Sequence, residues 1–124
     1  MTASPIAIET ASIDGGVIIA VAGEIDLLTA DELTEALATE VARHALVVVD
    51  LTAVDFLSSS GLAALALAHR AAVEAGHELR LVAGNRVTLR PIQITGLADE
   101  IGVFASLPEA VAGVAPFDSP IEHG

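Results

Sequence analysis

Apolar and polar positions alternate first over Ile6-Ala7-Ile8-Glu9-Thr10, the period-two pattern of a half-exposed strand. Ile13-Asp14-Gly15-Gly16 then predicts a hairpin turn, since Asp and Gly accept the backbone angles such turns need. Val17 to Val21 is apolar almost throughout and reads as the returning strand, paired antiparallel with the first. Thr29-Ala30-Asp31-Glu32 has the form of a capping box, Thr29 capping and Glu32 returning the bond. The helix it opens would bury Leu33, Leu37, Val41 and His44, with Asp31, Glu32, Glu35 and Glu40 as a solvated acidic face.

The next stretch organises the rest. Leu46-Val47-Val48-Val49, ended by Asp50, is the run expected of a strand buried on both faces. Asp55-Phe56-Leu57 leads into Ser58-Ser59-Ser60-Gly61, and a helix from Ser60 to Ala75 follows, stopped by Gly76. Leu62, Leu65, His69 and Val73 recur at helical spacing, and Ala63, Ala64, Leu67 and Ala71 leave the helix apolar nearly all round. Such a helix is either buried or offers its surface to another protein. The serines stand where it begins, so one or two of them can cap it. Unpaired amides and a positive dipole there suit a phosphate or an anionic partner group. Gly61, without a side chain, permits close approach of another backbone.

Glu78 to Val82 predicts a further strand and Ala83-Gly84-Asn85 a turn. Arg86 and Arg90 form a local basic patch, able to meet a phosphate or a carboxylate or simply to face solvent. Pro91 is unfavourable inside a helix, so the helix ending near Thr95, before Gly96, either begins late or bends. Ile101 to Phe104 predicts a last strand, and Leu107 to Val114 a last helix with Pro108 in its first turn. Residues 1–5 and 115–124 read as a flexible start and a disordered tail around one domain spanning 6–114. The alternation predicts an α/β fold: a four- to five-stranded mixed sheet, helices mainly on one face, with a hairpin followed by right-handed β-α units.

Composition narrows the function. Aromatic residues are 2% of a chain that is 53% hydrophobic, so the core is aliphatic. Without cysteine there is no disulfide framework, thiolate metal site or redox switch. No run reaches the ~20 apolar residues needed to span a bilayer, and no secretory signal is visible, which predicts a cytoplasmic protein. The net charge of −12 predicts repulsion by nucleic acid and anionic membrane, so any role in transcription must run through protein partners.

Val49-Asp50-Leu51 and Asp55-Phe56-Leu57-Ser58-Ser59-Ser60-Gly61-Leu62 together resemble the signature of the STAS domain, and within it the bacterial anti-sigma factor antagonists. Gly23-Glu24-Ile25-Asp26 is similar to that family's Gly-Glu-hydrophobic-Asp element, and Thr95-Gly96-Leu97 to its late turn. These matches span residues 6 to 112 in the family's order. The resemblance implies a STAS-like fold and a protein that binds an anti-sigma factor of the serine kinase type, freeing a sigma factor it touches only indirectly. It implies that Ser59 is the position the partner kinase phosphorylates, with Ser58 and Ser60 as secondary candidates, and that phosphorylation switches binding off. Asp26 would orient a hydroxyl or shape the kinase contact, or serve only as a turn residue. The partner surface would comprise Asp26, Ser58, Ser59, Ser60, Gly61, Leu62, Ala63 and Leu67, with Arg86 and Arg90 alongside. Many phosphorylated members carry Asp immediately before the acceptor, where this chain has Ser58.

Two other classes compete. One is a STAS module that binds without being phosphorylated, as a scaffold or an accessory subunit of a transport system. The other is a phosphorelay receiver or an enzyme. A receiver needs a lysine, and the basic residues here are all arginine. A serine hydrolase needs a base within reach of its nucleophile and a suitable turn; these serines are not in Gly-x-Ser-x-Gly, and His69 lies more than two helical turns from Ser60. The histidines lack the spacing of a metal site, so neither catalysis nor a cofactor is expected.

Overall fold

The computed structural model describes residues 6–113. The expectations for residues 1–5 and for the tail lie outside the described residues. Strand β3 (Leu46–Leu57) is the centre of a five-stranded sheet. On one side it pairs in parallel with β2 (Gly16–Ile25), which pairs antiparallel with β1 (Ile6–Ile13) through the turn at Asp14-Gly15. On the other side it pairs in parallel with β4 (Glu78–Val82), and β4 with β5 (Gly102–Phe104). The helices are α1 (Ala30–Arg43), α2 (Ser59–Glu74), α3 (Arg86–Ile94) and α4 (Leu107–Ala112), with a single 3-10 turn at Leu97–Asp99.

Val47 and Val49 point into the main core with Leu33, Leu37 and Val41 of α1, Ala64, Leu65, Ala68 and Ala72 of α2, and Ile92 of α3. Val48 points the other way, joining Val82, Phe104 and Ala110 of α4 in a smaller cluster. Three helices therefore cover one face, and one short helix covers part of the other. Burial of Val47, Val48 and Val49 on both faces explains why this run lacks alternation.

The structure corrects four local expectations. Asp50 does not end β3, which runs on to Leu57. Its carboxylate turns back to accept from the Thr52 amide, 3.0 Å, and the Thr52 hydroxyl. Against β2, β3 carries one extra residue between Asp50 and Ala53 and another between Val54 and Phe56. These bulges space the inward residues Leu51, Val54 and Leu57 three apart instead of two, hiding the strand from a period-two search.

Thr29 is not a side-chain cap. Its backbone is helical (φ −104°, ψ −11°), and its hydroxyl donates to the Glu24 carbonyl and accepts from the Asp26 amide, each at 2.9 Å. On α2 the buried line is Gly61, Ala64, Leu65, Ala68 and Ala72, while Val73 is exposed. Small residues let α2 lie close to α1 and the sheet, so that of the larger residues at helical spacing Leu65 is fully buried, Leu62 stands beside the seam and Val73 lies outside it. The α3 helix starts well before Pro91, because Asn85 caps it by accepting from the Thr88 amide at 3.2 Å. Gly76 ends α2 as expected: at φ +75° it donates to Val73, and His77 donates to Ala72, the paired bonds of a Schellman stop.

Candidate functional site

The serine turn lies where β2 and β3 end side by side. Ile25 is the register partner of Leu57, and the Ser58 amide donates to the Ile25 carbonyl at 2.9 Å. The loop beginning at Asp26 therefore leaves the sheet beside the start of α2. Asp26 closes that loop: its Oδ1 accepts from the amides of Leu28 (2.9 Å) and Thr29 (3.1 Å). This is the turn role open to it from sequence, an aspartate serving its own backbone two and three residues on. Its second oxygen has no partner among the described residues.

Each serine has a different position. Ser58 is the N-cap of α2, extended at φ −85°, ψ 173°, its Oγ accepting from the Gly61 amide at 3.3 Å. Ser59 and Ser60 are the first two helical residues, and their amides and hydroxyls have no partner among the described residues. Ser59 is exposed, whereas Ser58 and Ser60 are half-buried. No acidic residue stands in the first turn of α2, so none of the helix's own side chains neutralises its positive end. The site therefore presents one free, solvent-facing hydroxyl on a pair of unfilled backbone donors.

Gly61 is where structure and expectation part. It is buried, and a Cβ there would lie 2.6 Å from Ile25 Cγ2 and 2.7 Å from Leu57 Cδ1. The close approach that glycine permits is made by the chain's own core, and the expected approach of a second protein's backbone at this position is replaced by that packing. Leu62 is half-buried on the flank of α2, Ala63 is exposed, and Leu67 is 52% exposed further along the helix. Arg86 and Arg90 are exposed on α3. The start of α3 is tied to β3 by Asn85, whose Nδ2 donates to the Thr52 carbonyl at 3.2 Å.

Leu27 and Leu28 escaped the sequence reading. They are 76% and 86% exposed in the Asp26 loop, and Phe56, 50% exposed, stands near the end of β3. Large apolar side chains exposed together are the kind of surface through which proteins make contact. The available signal was a leucine pair between Asp26 and Thr29 that no periodic element absorbs. Among the described residues no cluster of His, Cys, Asp or Glu could hold a metal ion, and no helix is long and apolar enough to cross a membrane.

Comparison with known proteins agrees with this architecture. Residues 7–110 match the model of the STAS domain. The anti-sigma-F factor antagonist RsfB of Mycobacterium tuberculosis is 38% identical over 110 residues, covering 88% of this chain and 89% of RsfB. The crystal structure of an anti-sigma factor antagonist from Mycobacterium paratuberculosis matches with a TM-score of 0.82 at 34% identity, over 88% of this chain and 93% of that one. The Bacillus cell fate determinant SpoIIAA, in its phosphorylated form, shares the fold at 17% identity, with a TM-score of 0.68 over 87% of this chain and 99% of that one. With its order of strands, its serine turn and these relatives, the chain belongs to the STAS domain family, in the group that contains the anti-sigma factor antagonists.

Proposed function

We propose that this protein is a cytoplasmic anti-sigma factor antagonist that is switched off by phosphorylation of Ser59. It binds an anti-sigma factor of the serine kinase type through the Ser58–Gly61 turn and the outer face of α2, and so releases a sigma factor. The observation that carries this reading is Ser59 itself: an exposed hydroxyl without a partner among the described residues, at an uncompensated helix start, next to the loop that exposes Leu27 and Leu28. A 38% identical relative named for anti-sigma-F factor antagonism supports the partner class. Arg86 and Arg90 extend the surface with positive charge for an acidic edge of the partner.

The switch follows from electrostatics. A phosphate on Ser59 adds about −1.5 to −2 charges at pH 7. Within a docked apolar surface it must be desolvated, and Asp55, four residues before Ser59, and Asp26, in the loop that leaves the sheet beside the start of α2, are carboxylates, not counter-charges. Burying an uncompensated charge costs several kcal/mol. With ~1.4 kcal/mol for each tenfold, affinity falls on the order of a thousandfold. The free amides of Ser59 and Ser60 offset about 1 kcal/mol of this. The binding form is the unmodified one.

Ser58 in place of the usual Asp fits the same scheme. Asp and Ser are comparable N-caps, and Ser58 makes the cap bond here. The replacement keeps the turn and removes one negative charge next to the phosphate, leaving the helix start freer to accept it.

The test is phosphosite mapping with the cognate kinase, followed by titration of modified protein, unmodified protein, Ser59→Ala and Ser59→Asp against the anti-sigma factor. Ser59→Ala should bind like the native chain and resist regulation. Ser59→Asp should bind more weakly, though less so than the phosphoprotein, since it brings one charge rather than nearly two. Phosphate on Ser58 or Ser60 would move the acceptor by one residue. An unmodified turn together with normal binding by Ser59→Asp would make the chain a constitutive STAS module, a scaffold or a transporter's accessory subunit.

A further inference from the structure

We infer that the sheet carries a second docking surface, on the face opposite α1, α2 and α3, for a positively charged segment of a partner protein. The α4 helix covers only the part of this face built by β3, β4 and β5, around Val48, Val82 and Phe104. Beyond it lies an open trough of about 410 Å³, with a floor of Ala7, Ala20, Ala22 and Ala53 and with Glu9 and Asp50 at its sides. The pairing places these residues together. Ala7 faces Ala22, which faces Ala53, and Glu9 faces Ala20, which faces Asp50.

A row of methyl groups forms a flat, shallow floor on which a partner's chain can lie closely. The charge chooses the occupant. Neither Glu9 nor Asp50 has a cationic partner among the described residues, and one oxygen of Asp50 stays free after Thr52 is served. Arg80, the arginine of this face, is committed to Glu78 and to the Ala110 carbonyl. A second copy of the chain would bring another net charge of −12. The chain's own residues 114–124 would bring Asp118 and Glu122. Lysine or arginine on a partner's segment satisfies both carboxylates while its apolar residues cover the alanines. This surface does not use the serine turn, so a protein docked on it leaves Ser59 exposed for the anti-sigma factor or its kinase.

The test uses the full chain with ¹³C-labelled alanine methyls, titrated with a synthetic peptide of alternating lysine and valine and with its glutamate counterpart. The lysine peptide should move the methyls of Ala7, Ala20, Ala22 and Ala53, and leave Ala38 and Ala42 on the acidic α1 helix in place. Binding should weaken with salt. Glu9→Lys and Ala53→Arg, both at exposed positions, should each weaken it at least tenfold, while Ser59→Asp should leave it unchanged. No movement in the trough, equal movement with the glutamate peptide, or equal movement on α1 overturns the proposal. So do contacts of the Phe117 ring with these methyls in the free protein, which would make the chain's own end the occupant. Concentration-dependent dimerisation abolished by Ala53→Arg would give the face to a second copy and overturn it too.

Discussion

Replacing Gly61 separates a core role from a partner-contact role at the most crowded point of the serine turn. A Cβ would come 2.6 Å from Ile25 Cγ2, 2.7 Å from Leu57 Cδ1 and 3.3 Å from Ile25 Cβ. Ordinary carbon contacts lie near 3.5–4.0 Å, so the neighbours must retreat by close to 1 Å. Leu57 can swing its terminal methyl. Ile25 cannot retreat easily, because the branch is fixed to a strand and its side chain is wholly buried. Overpacking of this kind costs about 1–3 kcal/mol. Gly61→Ala recovers about 0.8–1.0 kcal/mol of helix propensity, so it should come out between neutral and about 2 kcal/mol less stable. Gly61→Val adds two more methyls and recovers less, and a loss of about 3 kcal/mol is expected. At roughly 4 °C per kcal/mol for a domain of this size, Tm falls by about 10 °C. Urea and thermal unfolding followed by circular dichroism give the shift, and titration with the anti-sigma factor gives the affinity. The reasoning is refuted if Gly61→Val unfolds like the native chain while losing partner affinity, since the missing side chain would then face the partner.

The cap assignment predicts an asymmetry: Ser58→Ala should lose about 1 kcal/mol of stability, while Ser60→Ala, with no side-chain bond to lose, should unfold within experimental error of the native protein. Leu27→Asp and Leu28→Asp, at residues 76% and 86% exposed, should leave urea unfolding unchanged but weaken anti-sigma binding at least tenfold, as expected of apolar anchors losing ~1.4 kcal/mol or more; unchanged affinity would remove the Asp26 loop from the contact surface.

Much of the fold can be read from residue order. The hairpin at Asp14-Gly15, the doubly buried Val47-Val48-Val49, the strand Glu78–Val82 and the stop at Gly76 are encoded within a few residues each. Local backbone preference and an unbroken apolar run suffice for them. The family signature likewise lies in short contiguous stretches, and with it came the serine turn at the start of α2.

Contacts distant in sequence decided the rest. Whether β3 ends at Asp50 depends on β2, whose pairing absorbs two bulges and carries the strand to Leu57. Which residues of α2 are buried depends on how near α1 and the sheet stand, and close packing selected Gly61, Ala64, Ala68 and Ala72 over Val73. Thr29 offers a good capping sequence, but its hydroxyl finds the Glu24 carbonyl and the Asp26 amide first. Gly61 reads as a place for another protein until Ile25, 36 positions earlier in the chain, is found in that space. Exposure of Leu27 and Leu28 and the open alanine floor beside Glu9 and Asp50 are also properties of assembled surfaces. A residue's chemistry is set by its own side chain, but whether it faces core, partner or solvent is set by neighbours that the linear order does not name.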